Sequence, residues 1–357
     1  MSQPVSEPPF RLARLALAVV VPIVAYASLR PFSGWRDNGR APFAYLVQVT
    51  QIGSLFDVAL NVVGYVVLAF VLVLALFPRW RGARALAFGS LVPALCSVLV
   101  EATQNYLPGR TPSAIDVLAN SAGALIGALA AVRLTPWLRD HRGGRQWRAR
   151  WLAPGHGAEA GLVLLAAWWL VPFAQRTLLV ASGDFRGNLQ VAVLPGVPAF
   201  VYVAVEVFVV AANAAAAGLL LRLVLAEGRA RLRWFALLLA GALALRWVAR
   251  FSFWNDAGWQ WLTPSALAGA ALAVVVVWRA QRLPRRAAAL LAIVLLAAAV
   301  MVVNVAPPDP ALWLEGTAPR ETNLIALALV ARYTAKAWPF AAIAFLWLAA
   351  RAARARS

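Results

Sequence analysis

Long apolar runs recur along the whole chain and constrain its fold more than any other feature. A helix needs roughly 20 apolar residues to cross a hydrocarbon core of about 30 Å. Runs near that length lie at residues 12–30, 58–77, 85–104, 114–133, 159–180, 200–221, 234–251, 264–280, 286–306 and 335–351. With 62% apolar and 13% charged residues, the chain has more apolar surface than a water-soluble globule buries. The pattern predicts an all-α, polytopic integral membrane protein of about ten transmembrane helices.

The net charge of +19 falls in short arginine clusters between these runs, with no basic face, so a nucleic-acid-binding surface is not expected. Basic clusters occupy every second connection, which is typical of the cytoplasmic loops of a bacterial inner-membrane protein. Such clusters lie at residues 11–14, 79–84, 133–150, 222–233, 279–286 and 351–356. Both termini are therefore predicted to be cytoplasmic, with an even number of spans.

Two segments allow another interpretation. Ala25-Tyr26-Ala27 resembles a signal-peptide cleavage site, although Arg30 and the many later spans favour a retained helix. Asn323–Val330 is apolar but too short to cross, and we interpret it as an amphipathic or re-entrant piece before Pro339. If it spanned the membrane, the C-terminus would lie outside, against its own arginine cluster.

Polar side chains within the first four spans are the main indication of function, because such groups are costly in a membrane and usually face a bundle interior or a wet cavity. Three pairs are spaced three or four residues apart, which places each pair on one helix face. With the N-terminus inside, these pairs and two arginines lie at the outer helix ends. The candidate ligand-binding residues are Arg30, Asp57, Asn61, Glu101, Gln104, Arg110, Asp116 and Asn120.

Local signals between and within the third and fourth spans predict how this region is built. Pro108-Gly109 predicts a tight turn. Thr111-Pro112 predicts an N-cap followed by proline at the first helical position, which would hold Arg110 beside two helix ends. Gly123 and Gly127 form a small-xxx-small face, which predicts close approach of a neighbouring helix.

An ordered series of motifs in this region resembles the VanZ-like family over about residues 12–133. The motifs are Arg30-Pro31-Phe32, Asp57-x3-Asn61, Glu101-x2-Gln104, Leu107-Pro108-Gly109-Arg110 and Ser113-x2-Asp116-x3-Asn120-x2-Gly123. VanZ-like proteins are membrane proteins, and the namesake is associated with resistance to teicoplanin, a glycopeptide that acts outside the membrane on cell-wall precursors. The resemblance implies a four-helix membrane domain with a polar site, and the long region after residue 133 is a departure from a minimal family member.

By composition, the later region divides into a basic cytoplasmic linker (134–158), a second membrane bundle (159–280) and C-terminal membrane helices with a basic tail (281–357). A shift of 152 residues superposes Thr111–Ala114 on Thr263–Ala266 and Asn61 on Asn213, which suggests a degenerate second four-helix repeat. Chance similarity in an Ala-, Leu- and Val-rich sequence is the alternative. The counterparts of the three acidic site residues are Val209, Phe253 and Ala268, so only the first half would keep a complete site. The other charged residues of the second half, which could form separate outer ion pairs, are Arg176, Asp184, Arg186, Glu206, Arg246, Arg250 and Asp256.

Four interpretations of the first-half residues stay open at this stage. In a structural network, the two arginines neutralise the carboxylates and the amides lock the helices together. In a binding site, Arg30 and Arg110 hold the phosphate or carboxylate of a lipid headgroup or glycopeptide-related ligand. An enzyme would use the carboxylates on a lipid-linked substrate or to hold a divalent cation, and a transporter would couple ions through them.

The working hypothesis is a binding site. No catalytic motif supports the enzyme, since His141 and His156 lie in the basic linker, and there is no nucleotide-binding loop for a driven transporter. The expected partners are membrane lipids, with lipid-linked cell-wall precursors or glycopeptides as further ligands. No cofactor, resident metal or nucleic acid is expected, and the sequence leaves the oligomeric state open. A structural network would match each carboxylate with an arginine or an amide, whereas a catalytic or cation site would leave the carboxylates close together and unpaired.

Overall fold

A computed structural model describes residues 11–47, 55–139, 144–154, 157–174, 177–189, 196–226, 231–254, 261–307 and 322–354. Within these residues the regular structure is helical, and no strand is formed. The predicted all-α class is therefore confirmed. The chain divides into two compact units, one of Met1–Trp147 with Glu321–Ala326 and the other of Arg148–Arg320 with Leu327–Ser357.

The first unit is built on four long helices, and the second and fourth of them form its centre. Their bounds are α1 Arg11–Leu29, α2 Leu55–Leu76, α3 Gly82–Gln104 and α4 Ala114–Arg139. A short helix, α5 (Gly144–Trp151), follows. Alanines on the inner faces are fully buried, including Ala69, Ala124 and Ala128. Small side chains let the helices pack closely, which is the usual way in which membrane helices gain van der Waals contact.

The glycine face of α4 lies directly against the backbone of α2. A Cβ atom added at Gly123 would come within 3.0 Å of the Val62 carbonyl oxygen, and one added at Gly127 would come equally close to that of Val66. Only glycine fits at either position without displacing a helix backbone. The predicted close approach through the small-xxx-small face is thus confirmed.

The remaining helices belong to the second unit, but the unit boundaries fall inside two helices, at Arg148 in α5 and after Ala326 in the last helix. These remaining helices are α6 Gly157–Trp168, α7 Arg186–Leu189, α8 Ala199–Val224, α9 Arg231–Trp254, α10 Pro264–Ala280, α11 Arg285–Val305 and α12 Thr322–Arg354. The inner part of α8 is buried continuously from Val209 to Val224, and it packs against α6, α10 and α11. This helix is therefore the centre of the second unit.

Seven helices in the described part of the chain are long and apolar enough to cross a membrane. They correspond to the predicted spans that lie on α1, α2, α3, α4, α8, α9 and α11. Two further predicted spans fall on shorter apolar helices, Gly157–Phe173 and Pro264–Ala280, and the last lies within α12. The chain is a multi-pass membrane protein.

Two boundaries predicted from the sequence are wrong. The run 159–180 does not form one helix, because α6 ends at Trp168 and a short 3-10 helix follows at Val171–Phe173. Pro172 provides no backbone N–H and disfavours a helical residue before it, so it ends the α-helix. Asn323–Val330 is not a separate re-entrant piece, because it belongs to the continuous helix α12, which passes through Pro339.

Two arginines that the sequence assigns to membrane topology also have a structural role in the second unit. Arg222, buried near the end of α8, donates through Nη2 to the carbonyl oxygens of Gln281, at 3.2 Å, and Leu283, at 2.5 Å. Arg285, at the start of α11, donates in return to the carbonyl oxygen of Leu223. The last carbonyls of a helix have no partner within it, and cationic donors stabilise them. Arg222 thus binds the connection between α10 and α11, and Arg285 binds the C-terminal end of α8.

We expect Arg222→Ala to lower the free energy of unfolding of the second unit by about 2 kcal/mol, the scale of a charge-assisted hydrogen bond lost inside a protein. The measurement is the thermal unfolding midpoint of the full chain in nanodiscs. Arg282→Ala is the control, because Arg282 is exposed and its side chain makes no hydrogen bond among the described residues. An equal midpoint for both variants would contradict a capping role.

The helices of the proposed second repeat show one similarity to those of the first unit and one difference from them. Gly269 on α10 faces the Val207 carbonyl oxygen of α8, as Gly123 on α4 faces that of Val62 on α2. A shift of 152 residues, however, places the counterpart of Gly123 at Val275. The repeat therefore stays a hypothesis.

Candidate functional site

The connection from α3 to α4 shapes one end of the first unit. Gly109 has a φ of +75°, and the Arg110 N–H donates to the Leu107 carbonyl oxygen at 3.3 Å, which confirms the predicted turn at Pro108-Gly109. The predicted N-cap at Thr111 is wrong, because α4 begins at Ala114 and Ser113 precedes it. Ser113 Oγ accepts from the Ile115 N–H at 3.2 Å, while the Ser113 N–H is engaged elsewhere, by Glu101.

Arg110 and Gln104 hold the last turn of α1. Arg110 donates through Nη2 to the Ala27 carbonyl oxygen at 2.5 Å and through Nε to that of Arg30 at 3.2 Å. Gln104 Nε2 donates to the Ser28 carbonyl oxygen at 2.8 Å. These side chains satisfy carbonyls that a helix leaves open at its C-terminus. Two of the eight predicted site residues therefore position a helix.

Burial lowers the pKa of Arg110, and the charges of its neighbours act on it in both directions. Glu101 and Asp116 raise this pKa, while Arg30 lowers it. All four side chains thus lie close enough to interact electrostatically. An arginine guanidinium stays charged in proteins, so Arg110 is a fixed positive charge between these groups.

The carboxylates of Glu101 and Asp116 are the centre of the site. Glu101 is only 3% exposed, and its Oε2 accepts from the Ser113 N–H at 2.9 Å. Asp116 lies within electrostatic reach of Glu101, with the Asn61 amide beside it. Among the described residues, no arginine or lysine nitrogen lies within 4.0 Å of either carboxylate. A backbone N–H and a neutral amide are the groups that face them.

A second polar layer lies one helical turn deeper. Asn120, 6% exposed, donates through Nδ2 to Ser97 Oγ at 2.9 Å, and Ser97 is fully buried. Ser97 precedes Glu101 by four residues on α3, and Asn120 follows Asp116 by four on α4, so each lies below a carboxylate on the same face. Asn120 Oδ1 is buried and accepts no hydrogen bond among the described residues. Buried amide oxygens normally have a donor.

The connection after α1 folds over this end of the unit. Asn38 Nδ2 donates to the Asn105 carbonyl oxygen at 2.7 Å, and Asn105 Nδ2 donates to that of Arg40 at 3.2 Å. Tyr45 is buried, and its hydroxyl donates to the Val98 carbonyl oxygen of α3 at 2.9 Å. Burial raises the pKa of Tyr45, and the charge of Glu101 raises it as well. Tyr45 therefore borders the carboxylates.

The structure brings the predicted residues to one end of the unit but divides them by role. Arg110 and Gln104 position α1, whereas Glu101, Asp116, Asn61 and Asn120 form the polar interior. Asp57 lies half-buried at the start of α2. The Arg30 side chain makes no hydrogen bond or ion pair with any described residue. Neither Glu101 nor Asp116 pairs with an arginine within the described part, but each faces an amide, the Ser113 backbone N–H at Glu101 and the Asn61 side chain at Asp116. The structural network, in which an arginine or an amide matches each carboxylate, therefore stays open.

The cation version of the enzyme hypothesis gains no support. In the parts of the chain that the structure describes, no three His, Cys, Asp or Glu side chains are grouped closely enough to hold a metal ion. His141 and His156 lie outside those parts.

The second unit contains one of the ion pairs that the sequence suggested. Arg186 Nη2 lies 2.8 Å from Asp184 Oδ2, and the arginine is 3% exposed. Glu206 instead accepts from the hydroxyls of Thr263, at 2.8 Å, and Ser265, and Arg246 donates to the carbonyl oxygens of Pro172, Ala174 and Thr177. Arg250 is buried on α9, and the predicted participants Arg176 and Asp256 lie outside the described residues.

Sequence reasoning missed four residues at the polar end of the first unit: Asn38, Tyr45, Ser97 and Asn105. Ser97 could have been found, because it lies four residues before Glu101 on one helix. The others meet the site through loops, and no local pattern indicates where a loop residue packs.

Comparison with known proteins assigns a family to this unit. Residues 10–135 match the model of the VanZ/LLP1 family. The match covers α1–α3, α4 except its last four residues, and the connections that form the site. No curated protein and no solved structure matches the chain. The resemblance inferred from the motifs over residues 12–133 is confirmed, and the chain carries a VanZ-like domain in its N-terminal part.

Proposed function

We propose that this VanZ-like membrane protein binds a cell-envelope ligand at the polar end of its first unit and contributes to resistance against the glycopeptide teicoplanin. The ligands considered are lipid headgroups, lipid-linked cell-wall precursors and glycopeptide-related molecules. One observation supports a binding site most strongly: Glu101 and Asp116 are close together, and neither forms an ion pair with a described residue. Glu101 is buried, and a carboxylate away from water requires compensation, which a ligand would supply.

The proposal places the polar end at the extracytoplasmic face of the bacterial inner membrane. The alternation of arginine clusters supports this orientation, with both termini in the cytoplasm. Arg79 and Arg81 lie between α2 and α3, at the opposite end of the bundle from Glu101. A ligand of the outer leaflet or the cell wall would then reach the site without crossing the membrane.

Cysteine labelling tests this orientation. Cys96 is the sole cysteine, so Cys96→Ala gives a background free of thiols. In that background we expect a membrane-impermeant maleimide to label Thr111→Cys in intact spheroplasts and to label Arg84→Cys only after permeabilisation, because both positions are exposed on opposite sides. The reverse pattern would place the site in the cytoplasm and overturn the outward-facing proposal.

Resistance is tested by expression in a teicoplanin-susceptible host. Wild-type protein should raise the inhibitory concentration of teicoplanin, and Glu101→Gln at an equal membrane level should not. Protection by neither protein would contradict the proposed role in resistance.

A further inference from the structure

We propose that the ligand presents a protonated primary amine to the carboxylates of Glu101 and Asp116, and that this amine reaches the buried amide oxygen of Asn120. The inference rests on the proposed function, because it concerns the same site, and it adds the chemical class of the ligand. It extends the sequence interpretation, in which arginines at the site recognise an anion, by adding a cationic group to the ligand.

The hydrogen-bonding groups that the site offers are mainly acceptors. Two of its donors, Arg110 and Gln104, are turned to carbonyl oxygens at the end of α1. Glu101 keeps acceptor capacity after the Ser113 N–H, since an ionised carboxylate accepts about four hydrogen bonds and makes no donation. A site that offers mainly acceptors suits a ligand that donates.

The side-chain oxygen of Asn120 also requires a donor. The nitrogen of this amide is used by Ser97, which fixes the orientation of the group, and Oδ1 is left buried without a donor from the described residues. Leaving such a group unsatisfied costs about 1–3 kcal/mol. An N–H of the ligand would remove that cost, and an amine offers three donors, enough for Asn120 and both carboxylates.

The Arg30 side chain indicates a second chemical group on the ligand. Its guanidinium makes no hydrogen bond or ion pair with a described residue, and it lies near Arg110 at the end of α1. Guanidinium groups bind phosphate in a bidentate manner. A zwitterion with a phosphate close to its amine, such as a phosphoethanolamine group, therefore satisfies both the arginine and the acceptors.

The test compares headgroups that differ only in their N–H donors. The full chain is reconstituted in nanodiscs with equal amounts of phosphatidylethanolamine and phosphatidylcholine, and retained lipid is counted by native mass spectrometry. We expect phosphatidylethanolamine to be retained roughly tenfold over phosphatidylcholine, the scale of one charge-assisted hydrogen bond. Equal retention would overturn the inference. Soluble phosphoethanolamine distinguishes a lipid headgroup from a free ligand. If it displaces the lipid, the amine group alone is recognised; if the lipid is retained, the amine belongs to a membrane lipid.

Variants test which residues cause the preference for phosphatidylethanolamine over phosphatidylcholine. Glu101→Gln keeps the size of the side chain and removes its charge, so the preference should fall to nearly one. Asn120→Leu should weaken it, whereas Asn213→Leu, a buried asparagine of the second unit that is hydrogen-bonded to Ser182 and Val209, should leave it unchanged. A preference that survives in Glu101→Gln would contradict the assignment. If Glu101→Gln loses teicoplanin protection but the wild type retains both lipids equally, only the inference of an amine ligand is overturned. If the lipid preference depends on Glu101 but protection is unchanged in Glu101→Gln, only the proposed role in resistance is overturned.

Discussion

Glu101→Gln is expected to abolish protection against teicoplanin while the full-length protein still accumulates in the membrane at the wild-type level. Gln offers an amide oxygen to the Ser113 N–H, which donates to Glu101 at 2.9 Å in the wild type, so the start of α4 keeps its partner. What is lost is the negative charge, and with it about 1.5–3 kcal/mol of a charge-assisted contact to the ligand. Ligand affinity should fall by roughly tenfold or more.

The measurement is the inhibitory concentration of teicoplanin at matched membrane levels, with immunoblotting of membrane fractions. Asp116→Asn should behave like Glu101→Gln, because the two carboxylates interact. Glu159→Gln is the control: this carboxylate pairs at 3.0 Å with Arg148, whose side chain is 42% exposed, and it lies in the second unit, so its loss should leave protection intact. Disappearance of Glu101→Gln from the membrane would favour a purely structural network instead.

Gly127→Leu is expected to prevent stable folding of the first unit. The added side chain would start within 3.0 Å of the Val66 carbonyl oxygen, and the obstacle is helix backbone, which cannot rotate away. Overpacking a core usually costs about 1–3 kcal/mol, and separating α2 from α4 adds lost contacts along both helices. We expect Gly123→Leu to have the same effect against Val62.

The amount of monodisperse protein after detergent extraction measures this effect, together with the thermal midpoint of any protein recovered. Gly64→Ala is the matched control, because Gly64 lies on α2 with nothing within 4 Å of an added Cβ atom. Alanine favours the helix over glycine by about 1 kcal/mol, so this variant should be as stable as the wild type or more so. Recovery of Gly127→Leu at the level of Gly64→Ala would show that α2 and α4 do not need this contact.

The sequence predicts the spans well where an apolar run is uninterrupted and both of its ends are polar. For α1–α4, α8, α9 and α11, the membrane imposes a length and hydropathy that single residues rarely override. The prediction fails at 159–180, where Pro172 ends a run that hydropathy alone would continue. It also fails at 323–330, where a short apolar segment gains its helix from continuity with the rest of α12.

The sequence predicted most of the residues that lie at the site, but only partly what each of them does there. Helical spacing indicates which polar residues share a face, and the glycines at 123 and 127 indicate a close contact, because both signals are local. Which donor meets which acceptor depends on residues far apart in the chain. Arg110 meets the carbonyl oxygens of Ala27 and Arg30 across eighty residues or more, and Tyr45 reaches α3 from a loop.

The sequence by itself determined the membrane location, the helical class, the family of the N-terminal domain and the set of polar residues at one end of its helices. Only the tertiary structure decided that Arg110 and Gln104 are used by a helix terminus. It also decided that, among the described residues, Glu101 and Asp116 lie together without an arginine partner and Asn120 Oδ1 has no donor. The physical reason is that hydropathy and periodicity are properties of short segments. Hydrogen-bond pairing in a low-dielectric interior is instead fixed by which helix ends and loops meet when the bundle closes.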